Sequence, residues 1–238
     1  MFGVPRSIKI LNKINSFRSK DKNRNKYRVI ITPPYTLLEY FAKQFKNKRI
    51  TIGSQNCYQK DKFSSNTAAI SPYMIRSVGA KYTLVGHSDN RAEGDTDLML
   101  KNKVKFALTN NLKVVFCIGE NKKQKKNNQT FGVLKKQLVK VLEKKLNKNN
   151  IIVAYEPIWS IGTGKIPNRK DLLKTTIYIK KVLKNIFKKN SPAVLYGGSV
   201  DGNNIDMFRQ IKEIDGFLIG GASKSSKKFI DIIKNYYR

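Results

Sequence analysis

The sequence predicts an α/β protein built on a parallel sheet. Seven short apolar runs, rich in β-forming residues, are each followed by a helical pattern, which is how parallel strands joined by crossover helices read in sequence. No linker, low-complexity block or shift in composition divides the 238 residues, so a single domain over residues 1–238 is expected. Seven strand–helix units stand one short of a closed (β/α)8 barrel, and the missing unit belongs at the front.

The elements follow in order. Ile8, Leu11, Ile14 and Phe17 recur every three residues, which makes one face of a helix, and no strand precedes it. The first strand run is 29–32, followed by a helix over 35–45. The run 50–53 leads to a helix over 72–78, where Ser71 ahead of Pro72 supplies a cap. Strand runs 82–86 and 113–118 are followed by helices over 95–109 and 133–146. The run 151–156 precedes a helix over 170–187, with Asn168 placed to cap it before Asp171. The runs 193–196 and 216–220 precede helices over 203–211 and 226–236.

Composition narrows the function classes. A hydrophobic content of 40% supports a full core, and no stretch of eighteen apolar residues predicts a membrane span. No charged-then-apolar leader opens the sequence, and the two cysteines, Cys57 and Cys117, form no disulfide framework or metal cluster. Both read as reduced thiols of a cytoplasmic protein. The charge is extreme, 48 Lys and Arg against 16 Asp and Glu, or +32. Lysines are spread along nearly every helix and loop, Arg is sparse, and aromatics do not gather among the lysines as a base-stacking platform requires. The charge therefore reads as the drift of an AT-biased genome rather than as specific nucleic-acid binding. Weak adhesion to polyanions follows in either case.

The chemistry concentrates at the ends of the strand runs. Glu156 closes the run 151–156 and is followed by Pro157, Trp159 and a loop holding Gly162 and Gly164. A carboxylate base beside a hinged apolar flap suits a reaction in which water is shut out while a proton moves. Gly197, Gly198 and Ser199, then Gly220 and Gly221, leave backbone N–H groups open for a phosphate at two consecutive strand ends. Gly162 in the flap would add a donor on closure. His87, the sole histidine, follows the strand run ending in Leu84-Val85-Gly86 and so faces the same rim.

Five segments, in order and spaced over nearly the whole chain, resemble the triosephosphate isomerase family: Gly86-His87-Ser88-Asp89-Asn90-Arg91, Cys117-Ile118-Gly119-Glu120, the stretch Ala154 to Lys165, Tyr196-Gly197-Gly198-Ser199-Val200, and Asp215 to Ser223. Gln55-Asn56 and Ile70-Ser71-Pro72 add weaker support. The resemblance implies a TIM barrel and an aldose–ketose isomerase that interconverts dihydroxyacetone phosphate and D-glyceraldehyde 3-phosphate without metal or organic cofactor. By the same resemblance Glu156 is the base and His87 the electrophile that polarises the carbonyl. Gly162, Ser199, Gly220 and Gly221 bind the phosphate, while Glu120 and Arg91 support the site and Asp89 holds a cation or the substrate relay. A cytoplasmic homodimer is expected, completed by a loop around Thr67, with no specific nucleic-acid partner and no membrane.

Departures are also visible. Ala68 and Ala69 replace the family's glycine and acidic residue, Asp89 its Glu, Asn90 its Arg, and Ser160 its Ala. The family opens with a strand ending in Asn-Trp-Lys-Met, whose Asn and Lys line the site. The segment Met1-Phe2-Gly3-Val4-Pro5-Arg6-Ser7 resembles the family from that Met onward, and neither Lys9 nor Lys13 substitutes. The expectation is that the strand, Asn and Lys lie upstream of Met1. The alternative is a truncated remnant acting as a non-enzymatic basic binding protein.

Overall fold

Seven parallel strands run across one sheet in chain order: β1 (Val29–Ile31), β2 (Ile50–Ser54), β3 (Tyr82–Val85), β4 (Lys113–Ile118), β5 (Ile151–Tyr155), β6 (Ala193–Tyr196) and β7 (Gly216–Phe217). The structure is a computed structural model and describes residues 3–188 and 190–238. Each strand pairs with the next, Val29 lying opposite Ile50 and Val114 opposite Ile151. The crossovers carry the helices: α2 (Tyr35–Gln44), α3 (Pro72–Ser77), α4 (Ser88–Ala92), α5 (Asp97–Thr109), α6 (Lys122–Lys126), α7 (Thr130–Val141), α8 (Arg169–Phe187) and α9 (Ile205–Arg209). Helix α1 (Ile8–Lys20) precedes β1, and α10 (Ser226–Tyr236) follows β7.

The strands are apolar on both faces because both are covered. On β4, Val114, Phe116 and Ile118 join the main core beneath the helices, while Val115 and Cys117 join a smaller inner cluster with Tyr82, Leu84 and Ala154. Ile30 of β1 and Leu218, just past β7, pack against that same inner cluster. A flat seven-stranded sheet holds its outer strands about 28 Å apart, so sharing one cluster requires the sheet to curl. No ladder joins β1 to β7 among the described residues, and the barrel is incomplete between them. The helical layer nevertheless closes there. Helix α1 packs on α10, Tyr27 stacks on Tyr237 with ring centroids 5.3 Å apart, and Asn23 Nδ2 donates to the Tyr237 carbonyl.

The expected elements are present, with shifted boundaries. Helix α7 covers Thr130–Val141 rather than 133–146, because Leu142 turns to extended backbone at ψ 137°. Leu142 and Leu146 pack on the core from outside the helix, which is why the apolar spacing ran on. Strand β7 is limited to two residues, since its ladder to β6 involves only Leu195 and Tyr196. Helices α4 and α6, five residues each, were not foreseen. Ser71 and Asn168 do cap their helices, accepting from the N–H groups of Met74 and Asp171. Met1, on which the expectation about the front of the chain turned, lies outside the described residues.

Candidate active site

Parallel strands bring all their carboxyl ends to one rim, and the segments singled out in the sequence follow β3, β4, β5, β6 and β7 at that rim. Glu156 directly follows β5, its N–H donating to the Ile118 carbonyl at 2.7 Å, and Pro157 at φ −59° ends the strand there. The Glu156 side chain is buried, with Oε1 3.3 Å from His87 Nε2. Burial pushes its carboxyl up to about 7, partly offset by His87, a hydrogen bond with the Cys117 thiol, and the more distant Arg91 charge.

His87 caps α4. Its Nδ1 accepts from the Asp89 N–H at 3.3 Å, so the imidazole proton belongs on Nε2, the nitrogen turned toward Glu156. The Asp89 carboxylate lies 3.5 Å from Nδ1 and is otherwise open to solvent. Arg91 does not reach the pair directly; it ties two strand ends together, donating from Nε to the Gly86 carbonyl at 2.8 Å and from Nη2 to the Cys117 carbonyl at 2.9 Å.

Glu120 is buried beneath the flap and accepts from Tyr155 Oη at 3.2 Å and Trp159 Nε1 at 2.8 Å. Burial raises its pKa, which these donors partly counter. Lys125 Nζ sits 3.7 Å above the Trp159 ring, so the flap's first turn is gripped from both sides. The flap's far end is latched. Ser199 Oγ donates to the Ser160 carbonyl at 2.7 Å and accepts from Gly164 N–H at 3.1 Å, while Ser160 Oγ lies 3.0 Å from Tyr196 Oη. Gly198 is required for that latch, because a Cβ there would fall 2.1 Å from Tyr196 Oη and 2.6 Å from Ser160 Oγ. The flap donor that meets Ser199 is thus Gly164; Gly162 lies exposed on the outer flap. Gly220 and Gly221 are exposed at the start of a short 3-10 turn, Gly221–Lys224, with open space beside them. Lys9 and Lys13 are exposed on α1 in the outer helical layer.

The site therefore combines a buried carboxyl, an imidazole at its edge, a latched flap and two glycine loops. The triosephosphate isomerase family model matches residues 5–236. The chain belongs to the triosephosphate isomerase family. Triosephosphate isomerase of Saccharomyces cerevisiae is 38% identical over 211 residues, spanning 87% of this chain and 84% of the yeast protein. That of Debaryomyces hansenii is 36% identical over 229 residues, spanning 94% and 92%. The crystal structure of triosephosphate isomerase from Bartonella henselae superposes with a TM-score of 0.90 at 29% identity, covering all of this chain and 96% of that one. The seven curled strands are accordingly those of a (β/α)8 barrel.

Sequence reasoning found the rim of this family member but not everything beneath it. It missed the parts played by Tyr155, Tyr196 and Lys125. The Asn121–Gln124 capping box, in which each side chain accepts from the other's backbone N–H, was a readable signal for α6 and so for Lys125. The tyrosines lie in segments already singled out, but their partners, Glu120 for Tyr155 and Ser160 for Tyr196, are 35 and 36 positions away, so no local pattern marked these contacts.

Proposed function

We propose that the chain interconverts dihydroxyacetone phosphate and D-glyceraldehyde 3-phosphate, a step of glycolysis and gluconeogenesis, in one barrel domain spanning residues 1–238. The observation that carries this reading is the buried Glu156 carboxyl, held 3.3 Å from His87 Nε2 with its pKa pushed up to about 7. A base whose pKa lies near the working pH combines adequate basicity with a large ionised fraction. Glu156 takes the proton from the carbon beside the ketone, and His87 Nε2–H donates to the carbonyl oxygen as negative charge develops. As the hydroxyl proton on the first carbon passes to the oxygen on the second, the Glu156 carboxylic acid returns its proton to the second carbon, so that both a C–H and an O–H have crossed over and the first carbon becomes the aldehyde. Each step moves a proton, so no electron-transfer or group-carrying cofactor is called for.

The phosphate is bound by backbone N–H groups of Gly162, Ser199, Gly220 and Gly221, with the flap excluding water. Arg91 and Glu120 act as supports, and Asp89 orients His87. By family resemblance, Asn and Lys would enter from a further strand, and the gap between β7 and β1 is where that strand would pair. The remnant reading has no observation in its favour, because base, imidazole, latch and glycine loops converge on one rim. A homodimer is supported by exposed apolar side chains near the Thr67 loop: Phe63, 78% exposed, meets Tyr73 edge-on beside exposed Met74. Reduced buried thiols fit a cytoplasmic location, and no helix among the described residues is long and apolar enough to cross a membrane.

A coupled assay of dihydroxyacetone phosphate turnover tests the reading. The expected kcat/KM falls below about pH 7 as Glu156 protonates in the free enzyme. Absence of turnover at every pH would refute it. The net charge of +32 adds a second expectation, that attraction of a phosphorylated anion makes kcat/KM fall as salt rises from about 0.01 to 0.15 M. A value flat with ionic strength would deny the charge any part in capture.

A further inference from the structure

We propose that Gln137, on α7, is a positioning residue for Glu156, its side-chain amide standing in for a strand neighbour that β4 lacks. The inference rests on the proton-transfer reading above. The Ile118 and Glu120 carbonyls both face β5, accepting from the N–H groups of Glu156 at 2.7 Å and Ile158 at 3.0 Å. Strand alternation then turns the N–H and C=O of Gly119, the residue between them, to the opposite side. There β3 has already ended, its last ladder contact being Val85 with Phe116. Gln137 fills the vacancy with both of its polar atoms. Its Oε1 accepts from Gly119 N–H at 2.9 Å, and its Nε2 donates to the Gly119 carbonyl at 3.1 Å.

Only a neutral side chain with paired donor and acceptor can satisfy a peptide's N–H and C=O together; a carboxylate offers acceptors alone. The clamped segment 118–120 is the template for the proposed base. It fixes the Glu156 and Ile158 backbones from one side, and the Glu120 carboxylate holds Trp159 of the flap. Gly119 itself lies directly against the Glu156 carbonyl, where a Cβ would approach within 1.8 Å, so any displacement of Gly119 is transmitted to the base. The reach of Gln137 is therefore both to the position of Glu156 relative to His87 and to the root of the flap, though it touches neither reacting group.

Two variants of the full chain test the proposal, Gln137→Met and Gln137→Glu. A displacement near 1 Å costs on the order of a hundredfold in rate, so kcat is expected to fall about tenfold to a hundredfold in Gln137→Met, with KM within about twofold. In Gln137→Glu the introduced carboxylate faces the Gly119 carbonyl and loses the donor, but its protonated form regains one donor and one acceptor. The ratio of its kcat to that of the parent protein is expected to rise as pH falls from about 9 to 6, while the Gln137→Met ratio stays flat. Trp159 is the only tryptophan, so its emission reports the segment independently of turnover. It is expected to shift in Gln137→Met at every pH and to return toward the parent spectrum at low pH in Gln137→Glu.

Parent-like kcat in both variants, or a Gln137→Glu deficit of equal size at all pH values, would overturn the proposal. So would failure of both variants to fold, which would leave Gln137 a purely structural role. If the parent protein itself shows no isomerisation, the functional reading fails on its own, and the clamp is judged by the Trp159 emission alone.

Discussion

Glu156→Gln is expected to lower kcat about a thousandfold, the scale of losing a positioned general base, while making the protein more stable at alkaline pH. The two effects share one cause. Burial raises the folded-state pKa of Glu156 from 4.5 to about 7, so the unfolded chain ionises this group first as pH rises. Its contribution to stability is fully retained below about pH 4.5, is lost progressively between 4.5 and 7, and is gone above that. A shift of this size corresponds to about 3 kcal/mol, an upper value because the variant also gives up part of the contacts with His87 and Cys117. Urea unfolding at pH 5 and pH 8 checks this: the variant's advantage is expected to appear at pH 8 and to be small at pH 5. Equal stabilities at both would mean that Glu156 is not held as a desolvated charge.

Gly119→Ala is expected to produce the second largest effect, on stability and rate together. The new Cβ would lie 1.8 Å from the Glu156 carbonyl oxygen and 2.6 Å from its carbon. Both are backbone atoms, so no rotamer change relieves the overlap and the ends of β4 and β5 must separate by more than about 1 Å. Overpacking of this kind costs about 1–3 kcal/mol, and a base misplaced by that distance loses about a hundredfold in kcat. Denaturant midpoints and steady-state rates measured on the same preparation check both numbers. Gly132→Ala, on α7 with nothing within 4 Å of its added Cβ, is the control and is expected to gain about 0.5–1 kcal/mol with unchanged kcat. A parent-like Gly119→Ala would show that the contact between the two strand ends is not restrictive.

The fold was legible where physics acts locally. Strands buried on both faces must be apolar along their length, so the runs from Val29 to Phe217 marked all seven. Glycines and polar residues at those runs' ends marked the rim. Legibility failed where tertiary contacts decide. Leu142 and Leu146 keep a helical spacing, yet they pack on the core from extended and turn backbone, with Glu143 between them paired to Lys101 of α5 at 2.5 Å. Helices α4 and α6 bury no residue and so carry no apolar spacing to register, whereas α9, also of five residues, buries Ile205 and Phe208.

The site divides in the same way. His87, Glu156 and the glycine loops were readable because each follows a strand directly. The latch between Ser160, Tyr196 and Ser199 and the Gln137 clamp on Gly119 join residues up to 39 positions apart, and no spacing rule links them. The flap N–H that meets Ser199 belongs to Gly164, a contact no spacing marks, while Gly162 stays exposed on the flap.

Removal of a proton from carbon by the buried Glu156 carboxyl is the step on which the proposed isomerisation depends. It is tested most directly by incubating the protein with dihydroxyacetone phosphate in deuterium oxide and following the hydroxymethyl hydrogens by proton NMR. One of the two hydrogens beside the carbonyl is expected to exchange for deuterium with the parent protein, and Glu156→Gln is expected to show exchange at the solvent background. Exchange at the parent rate in Glu156→Gln, or none with the parent protein, would contradict it.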